Sequence, residues 1–181
     1  TVLENCPIIR VSAKTNDGLL NLTEALEICL EDSRAKPDLN RPRLPIDRIF
    51  TISGFGTVVT GTLLDGPLRV GDDVEILPSG LKGRIRGLQT HKQKEDYSPP
   101  GSRTAVNITG VEVDQIKRGQ VLAHVGDYRS TRRMDVYFRL LKDASVPIKH
   151  NMGVKLFMGA AESPARIRLL GAEVIQPGMD G

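Results

Sequence analysis

A row of basic side chains is the first feature of this sequence that has a chemistry of its own. Lys82, Arg84 and Arg86 alternate with smaller residues in a stretch that predicts a strand from Leu81 to Gln93, and Lys92 lies near its end. Side chains two positions apart share one face of a strand, so these cations would form a stripe. Such a stripe suits a nucleic-acid phosphate backbone. It is equally consistent with an ordinary solvated face of a sheet.

Composition narrows the choice of partner and compartment. The 181-residue chain has a formal net charge of +3, which mildly favours a polyanionic partner. Cys6 and Cys29 lie in apolar contexts, so we expect reduced core residues and neither a disulfide nor a metal site. The three histidines have no metal-ligand spacing. Because there is no signal pattern and no run long enough to cross a membrane, we expect a cytoplasmic protein without a membrane partner.

The usual phosphate-binding and catalytic motifs are absent. The glycines Gly54, Gly56 and Gly61 lack the spacing and the following helix that a dinucleotide site needs. The chain contains no Gly-x-x-x-x-Gly-Lys-Ser/Thr motif, no Asn-Lys-x-Asp and no recognisable Ser/His/Asp set. We therefore expect no catalytic residue, no cofactor and no metal in this chain, and no GTP hydrolysis by it.

One stretch, from Ile46 to Gly61, must position the residues around it. Polar and apolar side chains alternate from Ile46 to Ser53 with many β-branched residues, which predicts a half-buried strand. Gly54 and Gly56 then predict a sharp corner, and residues 57–64 predict the returning strand. Further short strands separated by turn signals follow. This pattern is typical of a small β-barrel.

The predicted fold class is therefore mainly β, with a β-barrel at residues 46–127. Before it, residues 7–11 predict a strand and residues 19–31 an amphipathic helix, and these two elements cannot bury both of their apolar faces. Residues 1–36 are thus expected to be the last strand and helix of an α/β domain. Residues 37–45, with three prolines, predict a linker.

The remainder, residues 128–181, predicts strands at 134–141, 154–158 and 165–170. These are about half the strands that a barrel needs, so we expect a partial second β-barrel. An unfinished sheet exposes unpaired N–H and C=O groups. We therefore expect self-association through residues 134–181.

The run from Ile46 to Gly61 closely resembles the start of the second domain of the elongation factor Tu family of translational GTPases. The matching positions are Ile46, Phe50, Ile52, Gly54, Gly56, Thr57, Val58, Val59, Thr60 and Gly61. The family's Arg-Gly-Gln-Val-Leu occurs at residues 118–122, and Ser12-Ala13-Lys14 matches the family's guanine-binding loop. The resemblance implies the end of a GTPase domain, a domain 2 barrel and part of domain 3. It also implies a parent protein that binds GTP and magnesium.

Within that family the chain resembles the selenocysteine-specific factors. Asp47, Arg48 and Arg103 stand in the aminoacyl pocket where the general factor has acidic residues and an asparagine, and Phe50 and Thr60 occupy further pocket positions. The resemblance implies delivery of selenocysteinyl-tRNA to the ribosome. A selenol is more acidic than a thiol, so it arrives as an anion that two poorly solvated guanidiniums attract strongly. Arg48 and Arg103 would hold the selenolate, while Asp47 orients them and binds the α-amino group.

Several alternatives stay open at this point. An arginine at a barrel mouth is commonly solvated, with a nearby aspartate as its ordinary ion-pair partner. Adjacent Asp47 and Arg48 serve one pocket only if the strand is irregular, since neighbours on a regular strand point to opposite faces. The basic row has the tRNA acceptor stem as its candidate partner. Two other identities stay open for the chain. One is another aminoacyl-tRNA or initiator-tRNA carrier of the family, and the other is a β-barrel interaction module without a role in RNA binding.

Overall fold

The computed structural model describes residues 6–31, 36–52, 54 and 56–181, which belong to two compact units, Thr1–Ala35 and Lys36–Gly181. Each unit is described by itself. The domain boundaries expected from the sequence stay predictions. Within the described ranges, no helix is both long and apolar enough to cross a membrane.

The helix of the first unit is confirmed at its predicted position. Helix α1 spans Leu19–Glu31 and begins with a hydrogen bond from the Leu22 amide to the Gly18 carbonyl, 3.0 Å long. Gly18 has φ +72°, and a Cβ at this position would lie 2.2 Å from the Arg10 carbonyl oxygen. None of the side chains of α1 is buried, and Leu20 is 79% exposed. Its apolar stripe therefore has no cover within the described part of this unit.

The strand predicted at residues 7–11 is wrong, because these residues are irregular. A strand needs a neighbouring segment to pair its backbone groups. The only ladder contact described here is an isolated bridge, in which the Ser12 amide donates to the Asp17 carbonyl at 3.0 Å. Cys6 and Cys29 are exposed, which corrects the expectation that they are core residues.

The second unit contains the strands, as predicted for a mainly β chain. Those up to residue 124 are β1 Arg43–Pro45, β2 Arg48–Ile52, β3 Gly56–Thr62, β4 Leu68–Arg69, β5 Asp73–Leu77, β6 Leu81–Thr90, β7 Gln93–Glu95, β8 Tyr97–Ser98, β9 Arg103–Thr109 and β10 Val121–His124. A short 3₁₀ turn at Val113–Gln115 precedes β10.

Eight of these strands form one antiparallel sheet. Its order is β1-β10-β5-β6-β9-β3-β2, with β7 paired to β6, and β4 pairs separately with β8. Among the described residues no regular ladder joins β1 and β2, the two ends of this order, so closure into a barrel stays a prediction. The β1 edge is connected through Arg43 and Leu64, whose amides and carbonyls exchange hydrogen bonds of 3.0 and 2.9 Å. This contact brings β1 to the residues that follow β3.

The sheet buries a core that is aliphatic throughout its described part. Its residues are Leu44, Ile46, Val59, Leu63, Leu68, Val74, Ile76, Ile85, Leu88, Val106, Ile108, Val111, Ile116 and Leu122. Most of these side chains are less than 3% exposed. Burial of this much apolar surface is the dominant favourable term in folding, so the sheet is the stable part of the unit.

Residues 128–181 form smaller pieces of sheet. Strands β11 Ile148–Lys149 and β14 Val174–Ile175 pair with each other, as do β12 Gly153–Met158 and β13 Ala161–Arg166. The strand expected at 134–141 is wrong, because only an isolated bridge at Arg139 is present. The strand expected at 165–170 lies earlier in the chain, as β13. In this region only Leu169 and Ile175 are buried among the described residues.

Two contacts pack the β12–β13 hairpin against the eight-stranded sheet. A Cβ on Gly119 would lie 2.7 Å from the Cα of Ala161, and one on Gly159 would lie 3.2 Å from the Pro45 side chain. The turn of the hairpin therefore contacts the sheet beside β1 and β10, where residues without a side chain allow close approach.

Candidate functional site

Asp47 is the centre of a three-residue cluster that joins three segments of the sheet. Its carboxylate accepts two hydrogen bonds from the Arg103 guanidinium, at 2.5 Å from Nη1 and 3.1 Å from Nη2. The Thr60 hydroxyl donates to the same carboxylate at 2.9 Å. The Asp47 and Arg103 side chains are 30% and 51% exposed, so the pair lies at the surface with one side covered. Two parallel N–H···O bonds are the strongest geometry for such a pair.

A break in the strand places Asp47 in this cluster. The strand predicted from Ile46 to Ser53 is confirmed from Arg48 to Ile52, but Ile46 and Asp47 lie between β1 and β2. Ser53 is outside the described residues. The Ile46 amide bonds to the Gln120 carbonyl at 2.8 Å, whereas the Asp47 amide bonds to the Thr60 carbonyl at 2.9 Å. Adjacent residues thus pair with different strands, which interrupts the regular alternation of faces.

Glycine at position 61 makes the break possible. A Cβ there would lie 2.2 Å from the Pro45 carbonyl oxygen and 2.7 Å from the Leu44 side chain. Any larger residue would push β1 away from β3 and move Asp47 from Thr60. This glycine of the sequence motif therefore has a packing role close to the cluster.

The charges of the pair stabilise each other. The hydrogen bonds from Arg103 lower the pKa of Asp47 below its ordinary value, against the opposing effect of partial burial, and Thr60 adds to the lowering. The hydrogen bonds to Asp47 in turn raise the pKa of Arg103. Both groups therefore carry their charges at neutral pH, and the site holds one fixed cation whose charge is partly neutralised.

A shallow depression of about 220 Å³ lies beside the cluster. Its lining residues come from β3, β6, β9 and the turn after β6, and they are Thr60, Gln89, His91, Lys92, Arg103, Thr104 and Ala105. Two of the predicted pocket residues, Thr60 and Arg103, are brought together here with Lys92, which the sequence analysis placed in the basic row. The depression is thus rimmed by two cations and a histidine, which suits an anionic or hydrogen-bonding ligand.

Strand β6 ends at Thr90 and not at Gln93 as predicted, because His91 and Lys92 form a turn after it. Thr90 pairs with Gln93, which leaves a two-residue loop with φ +48° at His91 and +66° at Lys92. Such loops favour Asn-Gly or other glycine-containing pairs, so this backbone is unusual for its sequence. Gln89 is a lining residue to which the sequence analysis gave no role, whereas His91 belongs with Lys92 to the stretch of basic residues considered for the tRNA backbone.

The other predicted pocket residues lie on the outer face next to the depression. Arg48 pairs in register with Thr60, and Thr60 in turn with Ala105 of β9. Arg48 is exposed and forms no hydrogen bond to any described residue, yet its charge contributes to the low pKa of Asp47. Phe50 is 39% exposed. The irregular strand lets Asp47 and Arg48 flank Thr60, although neither lines the depression.

The basic row is divided by the structure. Lys82 and Arg84 are exposed and face Glu75 and Asp73 on β5, and the Arg84 Nε lies 4.0 Å from the Asp73 carboxylate. From Arg84 to Lys92 the chain runs eight residues, about 26 Å of extended strand. Arg86 is exposed beside the irregularity between Ile85 and Gly87. Only Lys92 of this set lies at the depression, and a role in tRNA backbone binding stays a prediction for all four cations.

The candidate guanine loop lies in the first unit. Ser12, Ala13 and Lys14 form the turn before α1, where the Thr15 amide bonds to the Ser12 hydroxyl at 3.3 Å. The expected absence of GTP and magnesium from this chain stays a prediction. Within the described residues no group of His, Cys, Asp or Glu is suited to hold a metal ion.

Comparison with known proteins agrees with this architecture. The family model for elongation factor Tu domain 2 matches residues 56–123. A selenocysteine-specific elongation factor of Desulfomicrobium baculatum is 40% identical over 178 residues, which are 97% of this chain and 28% of that protein. One of Methanocaldococcus jannaschii is 38% identical over 121 residues, 66% of this chain and 26% of that protein. The chain therefore spans less than a third of these curated relatives.

A solved structure supports the same arrangement of elements. The apo form of translation elongation factor SelB from Methanococcus maripaludis superposes with a TM-score of 0.75 at 26% identity. The superposition covers 99% of this chain and 41% of that protein. The similarity thus extends over the helix of the first unit and over the whole of the second unit.

Proposed function

Because this chain belongs to the SelB and elongation factor Tu-like translation factors, contains their domain 2 and covers part of a larger factor, we propose that its sheet binds the aminoacylated end of a tRNA. The proposed cargo is selenocysteinyl-tRNA, which the whole factor delivers to the ribosome. The proposal includes the barrel form of domain 2. GTP and magnesium are assigned to parts of the factor outside this chain.

The observation that carries this proposal is the Asp47–Arg103 pair at the rim of the depression. In the free chain the Arg103 guanidinium is held in one orientation by two hydrogen bonds, with its side chain still half exposed. A selenolate adds a negative charge beside this guanidinium and beside Arg48, which has no hydrogen-bond partner among the described residues. A serine hydroxyl is neutral at pH 7 and gains much less from the same cations.

Asp47 has a second role in the proposal. Its carboxylate keeps the charge of Arg103 balanced while the site is empty, and it can accept a hydrogen bond from the α-amino group of the esterified residue. Discrimination then follows from the difference between an anionic and a neutral side chain rather than from size, since a single methylene or hydroxyl separates substrates poorly.

The experiment is a titration of the 181-residue chain with acceptor-end mimics, followed by NMR chemical shifts. The mimics carry selenocysteine, cysteine or serine on a terminal adenosine. We expect selenocysteine to bind most tightly, and Arg103→Ala to weaken it about tenfold or more, as expected for a lost hydrogen bond between charged groups. Arg48→Ala should have a smaller effect in the same direction.

Arg139→Ala is a matched control. Arg139 also forms a bidentate pair with an aspartate, Asp180, at 2.8 and 3.5 Å, but it lies in the region after residue 128. Arg139→Ala should leave the affinities for the selenocysteine, cysteine and serine mimics unchanged. Equal binding of the three mimics would reject the arginine site as a specificity device and favour a general aminoacyl-tRNA carrier. Absence of binding at any salt concentration would favour an interaction module without RNA.

Self-association is a second proposed partnership. The β12–β13 pair has no further strand on either side among the described residues, and Phe157 and Met158 are 67% and 61% exposed. Open strand edges next to exposed apolar side chains favour pairing with another copy. This proposal is independent of the RNA site.

A further inference from the structure

The hairpin of β12 and β13 has two outer edges, and both lack a partner strand. Within the described part of the second unit, β12 pairs only with β13, and β13 pairs only with β12. Lys155 and Phe157 on β12 are exposed, as are Glu162 and Pro164 on β13. A row of unpaired backbone N–H and C=O groups is a template to which another strand can be added.

The direction of the backbone groups along the hairpin follows from its turn. Two residues separate the strands, and Met158 pairs with Ala161 beside that turn. In a two-residue hairpin this first pair exchanges its N–H and C=O groups, and hydrogen-bonded and non-hydrogen-bonded pairs then alternate. Lys155 and Pro164 form the third pair after it. Their backbone groups therefore point away from the hairpin, toward its two outer edges.

Proline makes these two edges unequal. Because Pro164 has no N–H, the outer edge of β13 lacks a donor near its centre, as is common for protected edge strands. On β12 the outward N–H groups belong to Gly153, Lys155 and Phe157, and none of these is a proline. A Cβ built on Gly153 would have no atom within 4 Å, so this end of β12 is also open. The edge of β12 can therefore pair with a further strand along its whole length.

The sequence of β12 is complementary to an antiparallel copy of itself. With Leu156 opposite Leu156 of a second copy, the outward groups of Lys155 face those of Phe157, so all N–H and C=O groups at these positions can pair. Val154 then lies opposite Met158, and aliphatic side chains meet on one face. On the other face the Lys155 ammonium lies beside the Phe157 ring, a favourable cation–π arrangement.

The other registers that keep outward groups opposite each other are less complementary. Placing Lys155 opposite Lys155 of the second copy brings two like charges together, which is destabilising. Placing Phe157 opposite Phe157 moves Lys155 to the turn residue Gly159, so fewer strand residues are paired. The positions of the lysine and the phenylalanine therefore select the register centred on Leu156.

We infer that the outer edge of β12 is the contact between two copies of this chain, which pair as antiparallel strands with Leu156 at the twofold axis. This inference rests on the proposed self-association and adds the edge, the partner and the register. A twofold contact uses the same surface on both copies, so it closes as a dimer. Because the interface is a single pair of short strands, the dimer should be weak and concentration-dependent.

The first test compares proline on the two edges. Lys155→Pro removes an outward N–H from β12, and Glu162→Pro removes one from β13. The two variants are matched, because each also removes the ion pair between Lys155 Nζ and Glu162 Oε1, which are 2.6 Å apart. Sedimentation of the 181-residue chain over a range of concentrations measures the dimer, and cross-strand NMR contacts show whether the hairpin is retained.

We expect Lys155→Pro to weaken the dimer about tenfold or more, because the twofold symmetry removes two backbone hydrogen bonds from one interface. Glu162→Pro should leave the dissociation constant nearly unchanged. The difference between the two variants measures the edge itself, since the loss of the ion pair is common to both.

The second test traps the register with a disulfide. Cys6 and Cys29 are exposed and are first replaced by serine. Leu156→Cys then places two thiols opposite each other in a non-hydrogen-bonded pair, with Cα atoms about 4.5 Å apart, within the range of a disulfide. In Met158→Cys the two thiols lie four residues apart along the strands, about 13 Å, which is too far. Under mild oxidation Leu156→Cys should cross-link at least about tenfold faster.

The outcomes separate this inference from the proposals on which it depends. A monomer at every concentration would reject self-association altogether, whereas binding of the aminoacyl mimics is measured independently and would be unaffected. If the chain associates but both proline variants weaken it equally, the contact is not the edge of β12. Cross-linking of Met158→Cys as fast as that of Leu156→Cys would overturn the register.

Discussion

The two parts of the second unit show how differently one chain treats its apolar residues. In the sheet of residues 43–124, leucine, isoleucine and valine face inward, and most core side chains are almost fully buried. In residues 128–181, Tyr137, Phe157 and Leu170 are 77%, 67% and 87% exposed. Both parts have alternating strand sequences. Alternation therefore predicts a strand but not a core, which needs enough neighbouring strands to cover one face.

The same contrast applies to the two arginine–aspartate pairs. Each aspartate has a third partner, Thr60 for Asp47 and Tyr137 for Asp180. The pairs differ in exposure and surroundings: the Asp47 side chain is 30% exposed beside the sheet, whereas the Arg139–Asp180 pair connects two irregular segments, with the arginine 71% exposed. A pair on the sheet is held by rigid neighbours, whereas a pair between loops must order its own backbone.

The largest expected difference between the two parts is in the free energy of unfolding that is lost when side-chain volume is removed. Ile108 is 2% exposed, so Ile108→Ala should reduce the free energy of unfolding by about 2 to 5 kcal/mol through lost transfer energy and a cavity. Phe157→Ala removes an exposed ring and should cost less than about 1 kcal/mol. Urea unfolding followed by circular dichroism measures both. Equal losses would contradict the assignment of the core to the sheet alone.

A substitution at Gly119 should separate the hairpin from the sheet. An alanine Cβ would lie 2.7 Å from the Ala161 Cα, at a backbone φ of +91°, so Gly119→Ala combines a clash with backbone strain. We expect a loss of about 2 to 4 kcal/mol. Gly126→Ala is the matched control, since Gly126 has φ +87° but no atom within 4 Å of the added Cβ.

The control should cost only about 1 kcal/mol, the part due to backbone strain. Thermal unfolding of the two variants gives the difference. Amide exchange should also increase in β12 and β13 of Gly119→Ala while the core of the sheet stays protected. Equal stability of the two variants would show that the contact with Ala161 contributes little.

Self-association should depend on the exposed hairpin and not on the sheet. Sedimentation of the unmodified chain should show a mass that rises with concentration, since an open strand edge and exposed apolar residues favour a second copy. Phe157→Ser should weaken this association several-fold, whereas Phe50→Ser on the outer face of the sheet should not. A monodisperse monomer at high concentration would contradict the proposal.

The smallest expected effect is the dependence of stability on pH at Asp47. The pKa of this carboxyl is lowered in the folded chain, first by the hydrogen bonds from Arg103. Its stabilisation is therefore complete above the unfolded value, about 3.9, and is lost as the pH falls through the lowered folded pKa. Arg103→Ala should cost about 0.2 to 1 kcal/mol at pH 7 and progressively less in more acidic solution.

NMR titration of the side-chain carboxyl checks this prediction. In Arg103→Ala the pKa of Asp47 should rise toward its ordinary value, while that of Asp180 should stay low because Arg139 and Tyr137 still donate to it. A pKa of Asp47 that does not respond to Arg103→Ala would show that Thr60 and the backbone dominate the site.

Much of the fold is local enough to follow from the sequence. The bounds of α1, the corner at Gly54 and Gly56, where both glycines have positive φ, and the returning strand β3 agree closely with the expectations. Each depends on the conformational preference of residues that are neighbours in the chain. Strands predicted at 7–11 and 134–141 failed because alternation alone supplies no pairing partner.

The site was predictable in its residue types but not in its geometry. Asp47, Thr60 and Arg103 were named from the resemblance to the selenocysteine-specific factors, and the structure brings them together in one cluster. The loop at His91 and Lys92, where both residues have positive φ, was not predicted, because neither position has the glycine or asparagine that marks such two-residue turns. Its conformation follows from the pairing of Thr90 with Gln93, which depends on the fold of the hairpin.

The sequence by itself determined the mainly β character, the aliphatic composition of the core and the identity of the charged residues, because these depend on residue type and short-range spacing. Only the tertiary structure decided which charges meet. Arg103 is 56 residues from Asp47 along the chain, and their contact requires the register of β3 with β9 and the break at Ile46. Register is set by the packing of whole strands against one core, a property that no local segment contains.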